Sequence, residues 1–149
     1  MSLLCIDLDD FKRANDRGGH RVGDAILIAV AGALAGQMRR GALVARAGGD
    51  EFAMLCIGLE AAGVAAVAER LIAAVAELRL PAHDPELRVG CSIGVSCHPA
   101  DAGTEDDFVA CADAAMYEAK RRGKNGWALF QQDRLRPLAE SARGGCTPN

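Results

Sequence analysis

The sequence predicts an α/β sandwich whose sheet is at least partly antiparallel. Three observations predict it. Strand-like runs and helical stretches follow one another in the order β-α-α-β-β-α-β-α-β, and one strand pair is joined by a turn too short for a helical crossover. Half of the 149 residues are hydrophobic, which suffices to bury the core of a single domain.

Each element has its own signal. Leu3 to Asp9 alternates, with Leu4, Ile6 and Leu8 on one face and Cys5, Asp7 and Asp9 on the other, so this strand carries carboxylates at its exit. Phe11 to Asn15 is a short helical piece broken by Gly18 and Gly19. Asp24 to Gln37 is apolar on nearly every side and predicts a largely buried helix. Leu43 to Ala47 and Glu51 to Ile57 form two strands around Gly48-Gly49, a pair suited to a turn needing positive φ. Val64, Val67, Ala68, Leu71, Val75 and Leu78 recur at helical spacing. Leu87 to Cys97 reads as a strand containing "SIGVS". Thr104 can cap the next helix, with Asp107 as the acid of a capping box. Phe108, Cys111, Ala115 and Ala119 form that helix's inner stripe, and Gly123 stops it after Lys120, Arg121 and Arg122. Trp127 to Phe130 makes a last short strand, and from Gln131 the chain turns polar and irregular.

Composition narrows the function. A net charge of -3 gives no basic footprint for nucleic acid. The six cysteines show no CxxC spacing and four lie in apolar strand-like runs, as reduced core residues of a cytoplasmic protein do. The N-terminus has no charged region ahead of an apolar one, so it is not a signal peptide. The longest apolar run, Ala25 to Met38, falls short of the about 18–20 residues that span a bilayer, so no membrane contact is expected.

"RAGGDEFAML", Arg46 to Leu55, raises the functional question, because a hairpin gains nothing from two acids beside its glycines. If its strands neighbour the first one, Asp7, Asp9, Asp50 and Glu51 converge at one end of a sheet. Like charges at that range repel unless a cation sits among them, and hard oxygen ligands suit Mg²⁺ carrying a nucleotide triphosphate. "DFKRANDRGGHRVGD" sets Lys12, Asn15, His20 and Asp24 around a loop with free backbone amides that can cradle phosphate. A carboxylate there can accept two hydrogen bonds from guanine, and adenine would leave it unpaired at a cost of roughly 1–3 kcal/mol. Lys120 and Lys124 lie one turn apart across a helix end and can clamp phosphate oxygens. Each residue has an ordinary explanation when taken singly. Acids at strand ends are solvated, Asp24 can cap a helix, His20 can pack as an imidazole, and basic residues suit a helix C-terminus.

Together, "DLDDFKRANDRGGHRVGD", "RAGGDEFAMLC", "SIGVS" and "ADAAMYEAKRRGKNG" resemble, in order and spacing, the GGDEF domain of diguanylate cyclases, from about Leu3 to Phe130. The resemblance implies a five-stranded, largely antiparallel sheet wrapped by helices, akin to the nucleotide cyclase and polymerase palm. It implies condensation of two GTP into cyclic di-GMP with release of two pyrophosphates. By the resemblance Asp7, the Leu8 carbonyl and Asp50 hold Mg²⁺ or Mn²⁺, and Asp50 takes the ribose 3′-hydroxyl proton. Lys12 stabilises the phosphoryl group in flight, Asn15 and Asp24 read guanine beside His20, and Lys120 and Lys124 grip the β- and γ-phosphates. Glu51 is a supporting acid, and Gly48 and Gly49 let the backbone approach the nucleotide. Each domain would hold one GTP, so turnover needs a homodimer.

The family pattern also frames two departures. The domain would span 1–131, without the family's usual N-terminal helix and the segment that pairs with Arg46, and 132–149 would be an irregular tail. A fused or lost upstream sensory module is expected. A catalytically silent GTP-binding module that regulates a partner is the alternative. The family's RxxD product-inhibition site reads "RRGA", Arg39 to Ala42, so its acid is replaced and feedback is expected to be weak or absent.

Overall fold

Strand β1, Ser2–Asp9, occupies the centre of the sheet, and both of its faces are covered. The computed structural model describes residues 1–80 and 86–131. Helices α1, Phe11–Gly18, and α2, His20–Gly36, follow β1. The hairpin β2, Ala42–Gly48, and β3, Glu51–Cys56, comes next, then α3, Ala61–Ala76. Strand β4, Gly90–Cys97, α4, Glu105–Arg121, and β5, Gly126–Leu129, complete the order. The five strands lie in the order β2-β3-β1-β4-β5, antiparallel except for the parallel β4–β5 pair. This is the five-stranded, largely antiparallel sheet the family pattern implied.

The alternation in β1 sorts the layers. Leu4, Ile6 and Leu8 join Ile26, Val30 and Leu34 of α2 and Val64, Leu71 and Val75 of α3 in the main core. Leu3 and Cys5 face the other way, toward Phe108 and Ala112 of α4. Helix α4 lies unusually close to the sheet. A Cβ on Gly94 of β4 would come within 2.0 Å of the Ala112 carbonyl oxygen and 2.2 Å of the Met116 nitrogen. Only glycine admits that helix backbone, and Ala112, Ala115 and Ala119 continue the small-residue seam.

Several elements differ from the sequence reading. Helix α2 is not largely buried: only Gly23, Ile26, Val30 and Leu34 are, and Ile28 is 74% exposed. It begins at His20, so Asp24 lies inside it and caps nothing. Gly48 and Gly49 do not adopt positive φ. The turn is Gly49-Asp50, and a bulge between Arg46 and Gly48 supplies the bend. Arg46 clamps that turn by donating to the Gly49 carbonyl from Nε and from a terminal nitrogen, at 3.0 and 2.7 Å. Strand β4 starts at Gly90; Leu87 and Val89 are buried by packing without pairing. Thr104 does cap α4, accepting from the Asp107 N–H at 3.1 Å, but its hydroxyl donates to the Asp107 carboxylate, so no reciprocal box forms. Cys5, Cys56, Cys91, Cys97 and Cys111 are free thiols. Cys146 and the irregular tail, 132–149, lie outside the described residues. Among the described residues no helix is long and apolar enough to cross a membrane.

Candidate active site

Antiparallel pairing dictates where the acids meet. The C-terminal end of β1 lies beside the N-terminal ends of β3 and β4, with Asp7 opposite Glu51 on one side and Ser92 on the other. The β2–β3 turn therefore reaches the exit of β1, where the Leu8 N–H donates to the Asp50 carbonyl at 3.1 Å. Asp7, Leu8, Lys12, Asp50, Lys120 and Lys124 all line one cavity of about 510 Å³, together with Asp9, Asp10, Asp16 and Arg17.

Asp7 is 8% exposed, and its two oxygens differ. Oδ2 takes the Lys120 ammonium, while Oδ1 is buried without a hydrogen-bond partner. Burial alone would lower the Lys120 pKa. The contact with Asp7 and the charges of Asp9 and Asp50 outweigh it and raise the pKa, so the ammonium stays charged. A buried carboxylate oxygen left unpaired costs free energy that a cation would recover. Among the described residues no three His, Cys, Asp or Glu side chains form a protein-only metal cage. Asp7, Asp50 and a backbone carbonyl at the β1 exit fit a hard ion that completes its shell with phosphate and water.

Gly48 and Gly49 carry a second clue. Neither needs left-handed backbone, and a Cβ on either would meet nothing within 4 Å. Among the described residues no contact asks for glycine at these positions, which border the cavity through Asp50.

Other predicted site residues lie elsewhere. Asn15, His20 and Asp24 do not line the cavity; they belong to the α1–α2 hairpin beside it. Asn15 packs on Gly23, where a Cβ would come 2.1 Å from its Oδ1, and Asp24 follows on the exposed side of α2, as His20 does at its start. Glu51 is exposed and lines a separate pocket with Cys5 and Asp113. Arg39 and Ala42 line a third pocket near the start of β2.

Sequence reasoning counted Asp9 among the converging acids without naming a partner for it, and assigned no role to Asp10, Ser92 or Asn125. Asp9 accepts from Ser92 Oγ at 2.7 Å and from the Asn125 N–H at 2.8 Å, and Lys124 donates to Asp10 at 3.1 Å. The available signal was the alternation of β1, which puts Asp9 on the Asp7 face and in reach of a serine on a neighbouring strand.

Comparison with known proteins identifies the family and the fold. Residues 1–126 match the family described as diguanylate cyclase, GGDEF domain. The chain is 40% identical over 131 residues to the bifunctional diguanylate cyclase/cyclic di-GMP phosphodiesterase MucR of Pseudomonas aeruginosa, covering 87% of this chain and 19% of MucR. It is 38% identical over 142 residues to diguanylate cyclase TpbB of the same species, covering 94% of this chain and 32% of TpbB. The crystal structure of the GGDEF domain of YfiN or TpbB from Pseudomonas aeruginosa superimposes with a TM-score of 0.81 at 38% identity, covering 87% of this chain and 81% of that one. The chain thus spans about a fifth to a third of the length of these curated relatives. By the matched segment, the identity and the shared fold, the chain belongs to the GGDEF domain family of diguanylate cyclases.

Proposed function

We propose that this chain condenses two GTP molecules into cyclic di-GMP and two pyrophosphates, across a homodimer in which each protomer holds one GTP. One observation supports it above the rest: Asp7 offers a buried, unpaired oxygen to a cavity that Asp50, Lys12, Lys120 and Lys124 also line. The catalytic unit is residues 1–131, with 132–149 as an appended tail.

Asp7, the Leu8 carbonyl and Asp50 would hold Mg²⁺ or Mn²⁺, which supplies charge neutralisation at the nucleotide phosphates. The residues do the rest. Lys120 and Lys124 hold the β- and γ-phosphates, and Lys12 faces the charge that builds on the transferring phosphoryl group. The 3′-hydroxyl of one GTP attacks the α-phosphorus of the other. Its proton passes to Asp50, a P–O bond forms, and the bond to pyrophosphate breaks. Glu51 supports the turn. Gly48 and Gly49 admit the nucleotide where a Cβ would intrude, a reading favoured by the lack of any contact among the described residues that needs glycine there.

Asn15 and Asp24 read guanine, with His20 at the edge of the same pocket. The close seating of Asn15 on Gly23, next to Asp24, supports that pairing. Neither nucleotide reaches its partner within one protomer, so a monomer binds GTP without turnover. MucR and TpbB extend well beyond the aligned segment, which supports an attached sensory module as the control on pairing. At Arg39 and Ala42 the product finds no carboxylate for its guanine edge, so feedback there is weak or absent. Tight cyclic di-GMP binding at that site in calorimetry would refute this.

The test is incubation of the purified chain with GTP and Mg²⁺, followed by assay for cyclic di-GMP and pyrophosphate. Asp50→Ala should make neither. A wild type that binds GTP and yields no product is instead a silent GTP-binding module.

A further inference from the structure

Asp9 has no part in the reaction proposed above, yet it is the more buried of the two β1 carboxylates, 5% exposed against 8% for Asp7. A carboxylate withdrawn from water must find partners, and this one has two. Oδ1 accepts from Ser92 Oγ on β4 at 2.7 Å, and Oδ2 accepts from the backbone N–H of Asn125 at 2.8 Å. Asp7 keeps an oxygen free for a ligand, whereas Asp9 spends one on a neighbouring strand and the other on the loop between α4 and β5.

That loop is strained. Lys124 and Asn125 are consecutive residues with φ of 62° and 45°, left-handed backbone that non-glycine residues hold only where their surroundings fix it. Three contacts fix it here. The Asn125 N–H is held by Asp9, and the Lys124 ammonium reaches Asp10 Oδ1 at 3.1 Å. The Asn125 amide lies so close to Gly90 that a Cβ there would come within 2.9 Å of its Oδ1. Asp9 is the buried member of this set.

We infer that Asp9 is a positioning residue for substrate: it pins the left-handed Lys124–Asn125 pair so that Lys124 is presented to the cavity as a polyphosphate grip. The inference rests on the proposed grip of Lys124 on the β- and γ-phosphates. It gives the two alternate acids of "DLDD" different duties, Asp7 toward the metal and nucleotide, Asp9 toward the protein's own loop.

The test compares calorimetric binding of GMP and of the α,β-methylene analogue of GTP, which cannot turn over, to the purified chain with Mg²⁺. Asp9→Asn can still accept from the Asn125 N–H, with its amide N–H turned to the Ser92 hydroxyl, but it exchanges two charge-assisted hydrogen bonds for weaker neutral ones and so loosens the loop. Triphosphate affinity should fall about tenfold while GMP affinity changes less than about twofold. In a Lys124→Ala background Asp9→Asn should add less than about twofold, because its effect passes through Lys124. Ser92→Ala, which leaves Asp9 charged but half-anchored, should give the same selective loss more weakly and serves if Asp9→Asn does not fold. Equal loss of GMP and triphosphate binding, or full additivity with Lys124→Ala, overturns the inference. If wild type binds neither nucleotide, the reading of the site fails and takes this with it; if wild type binds and only the selectivity is missing, this inference alone fails.

Discussion

Lys120 places its ammonium on Asp7 Oδ2 while the other oxygen of that carboxylate, Oδ1, is buried without a partner. The pair bridges the end of β1 and the last turn of α4, so one contact joins the acid-bearing end of the sheet to the basic helix end. It neutralises Asp7 only in part.

An open buried oxygen predicts linkage between ligand and stability. A ligand that binds only the folded chain stabilises it by about 2.7 kcal/mol at a hundred times its Kd. For a domain of this size that corresponds to a rise in Tm on the order of 5–10 °C. Mg²⁺ with the α,β-methylene GTP analogue should produce such a rise, a chelator should reverse it, and Asp7→Asn should erase it. An undiminished rise in Asp7→Asn, read by differential scanning fluorimetry, would remove Asp7 from the site.

The approach of α4 to β4 predicts an asymmetry between glycines. Gly94→Ala drives a Cβ into the Ala112 carbonyl and the Met116 nitrogen, backbone atoms that cannot rotate away. Overpacking of this kind costs about 1–3 kcal/mol or more, and it lifts Lys120 off Asp7. Gly32→Ala, on the exposed side of α2 with nothing within 4 Å, should instead stabilise by about 0.5–1 kcal/mol. Urea midpoints of the two variants moving in the same direction would contradict this packing.

Much of the fold was legible in the sequence because its period was clean. The alternation of Leu4, Ile6 and Leu8 against Cys5, Asp7 and Asp9 fixed both the strand and its two faces. The burial of α2 was not legible, since an alanine-rich helix carries no polar face to mark its outside, and Ile28 looks like core. Asp24 looked like a cap because the continuous apolar run begins only at Ala25, more than a turn after the helix starts at His20. The convergence of Asp7 and Asp50 depended on strand order, which resemblance supplied and periodicity could not. The duty of Asp9 was hidden for a different reason: its partners Ser92 and Asn125 are distant in sequence, and only the register of β1 with β4 brings the first of them near.

The glycine pair separates folding from function. Gly48→Ala and Gly49→Ala place a methyl group in open space on backbone that L-residues adopt, so stability should change by no more than about 0.5 kcal/mol. Affinity for the GTP analogue should nonetheless fall by about tenfold or more, as the added Cβ meets the nucleotide. Calorimetry beside urea denaturation distinguishes the two effects. Unchanged nucleotide affinity in both variants would show that the hairpin does not approach the substrate.

Two thiols, the half-buried Cys5 and the buried Cys91, make the alkaline limit of stability predictable in sign. Cys5 is pushed up from 9.0 to about 12 by burial and then by Asp113, and Cys91 to about 12 by burial and then by Asp9. In the unfolded chain these thiols ionise near their ordinary value, so the folded state binds more protons than the unfolded state above it. Their contribution to stability is complete below about pH 9 and is lost as pH rises toward 12. The limiting slope is about 1.4 kcal/mol per pH unit for each thiol. Lys120 adds to the loss in the same direction, since its pKa is also raised and Asp7 loses its counter-charge when the ammonium deprotonates. Urea midpoints measured from pH 8 to pH 11 should therefore fall, and Cys91→Ala should flatten the slope even where the cavity it leaves lowers stability throughout. A slope that Cys91→Ala leaves unchanged would mean that this thiol ionises as readily in the fold as outside it.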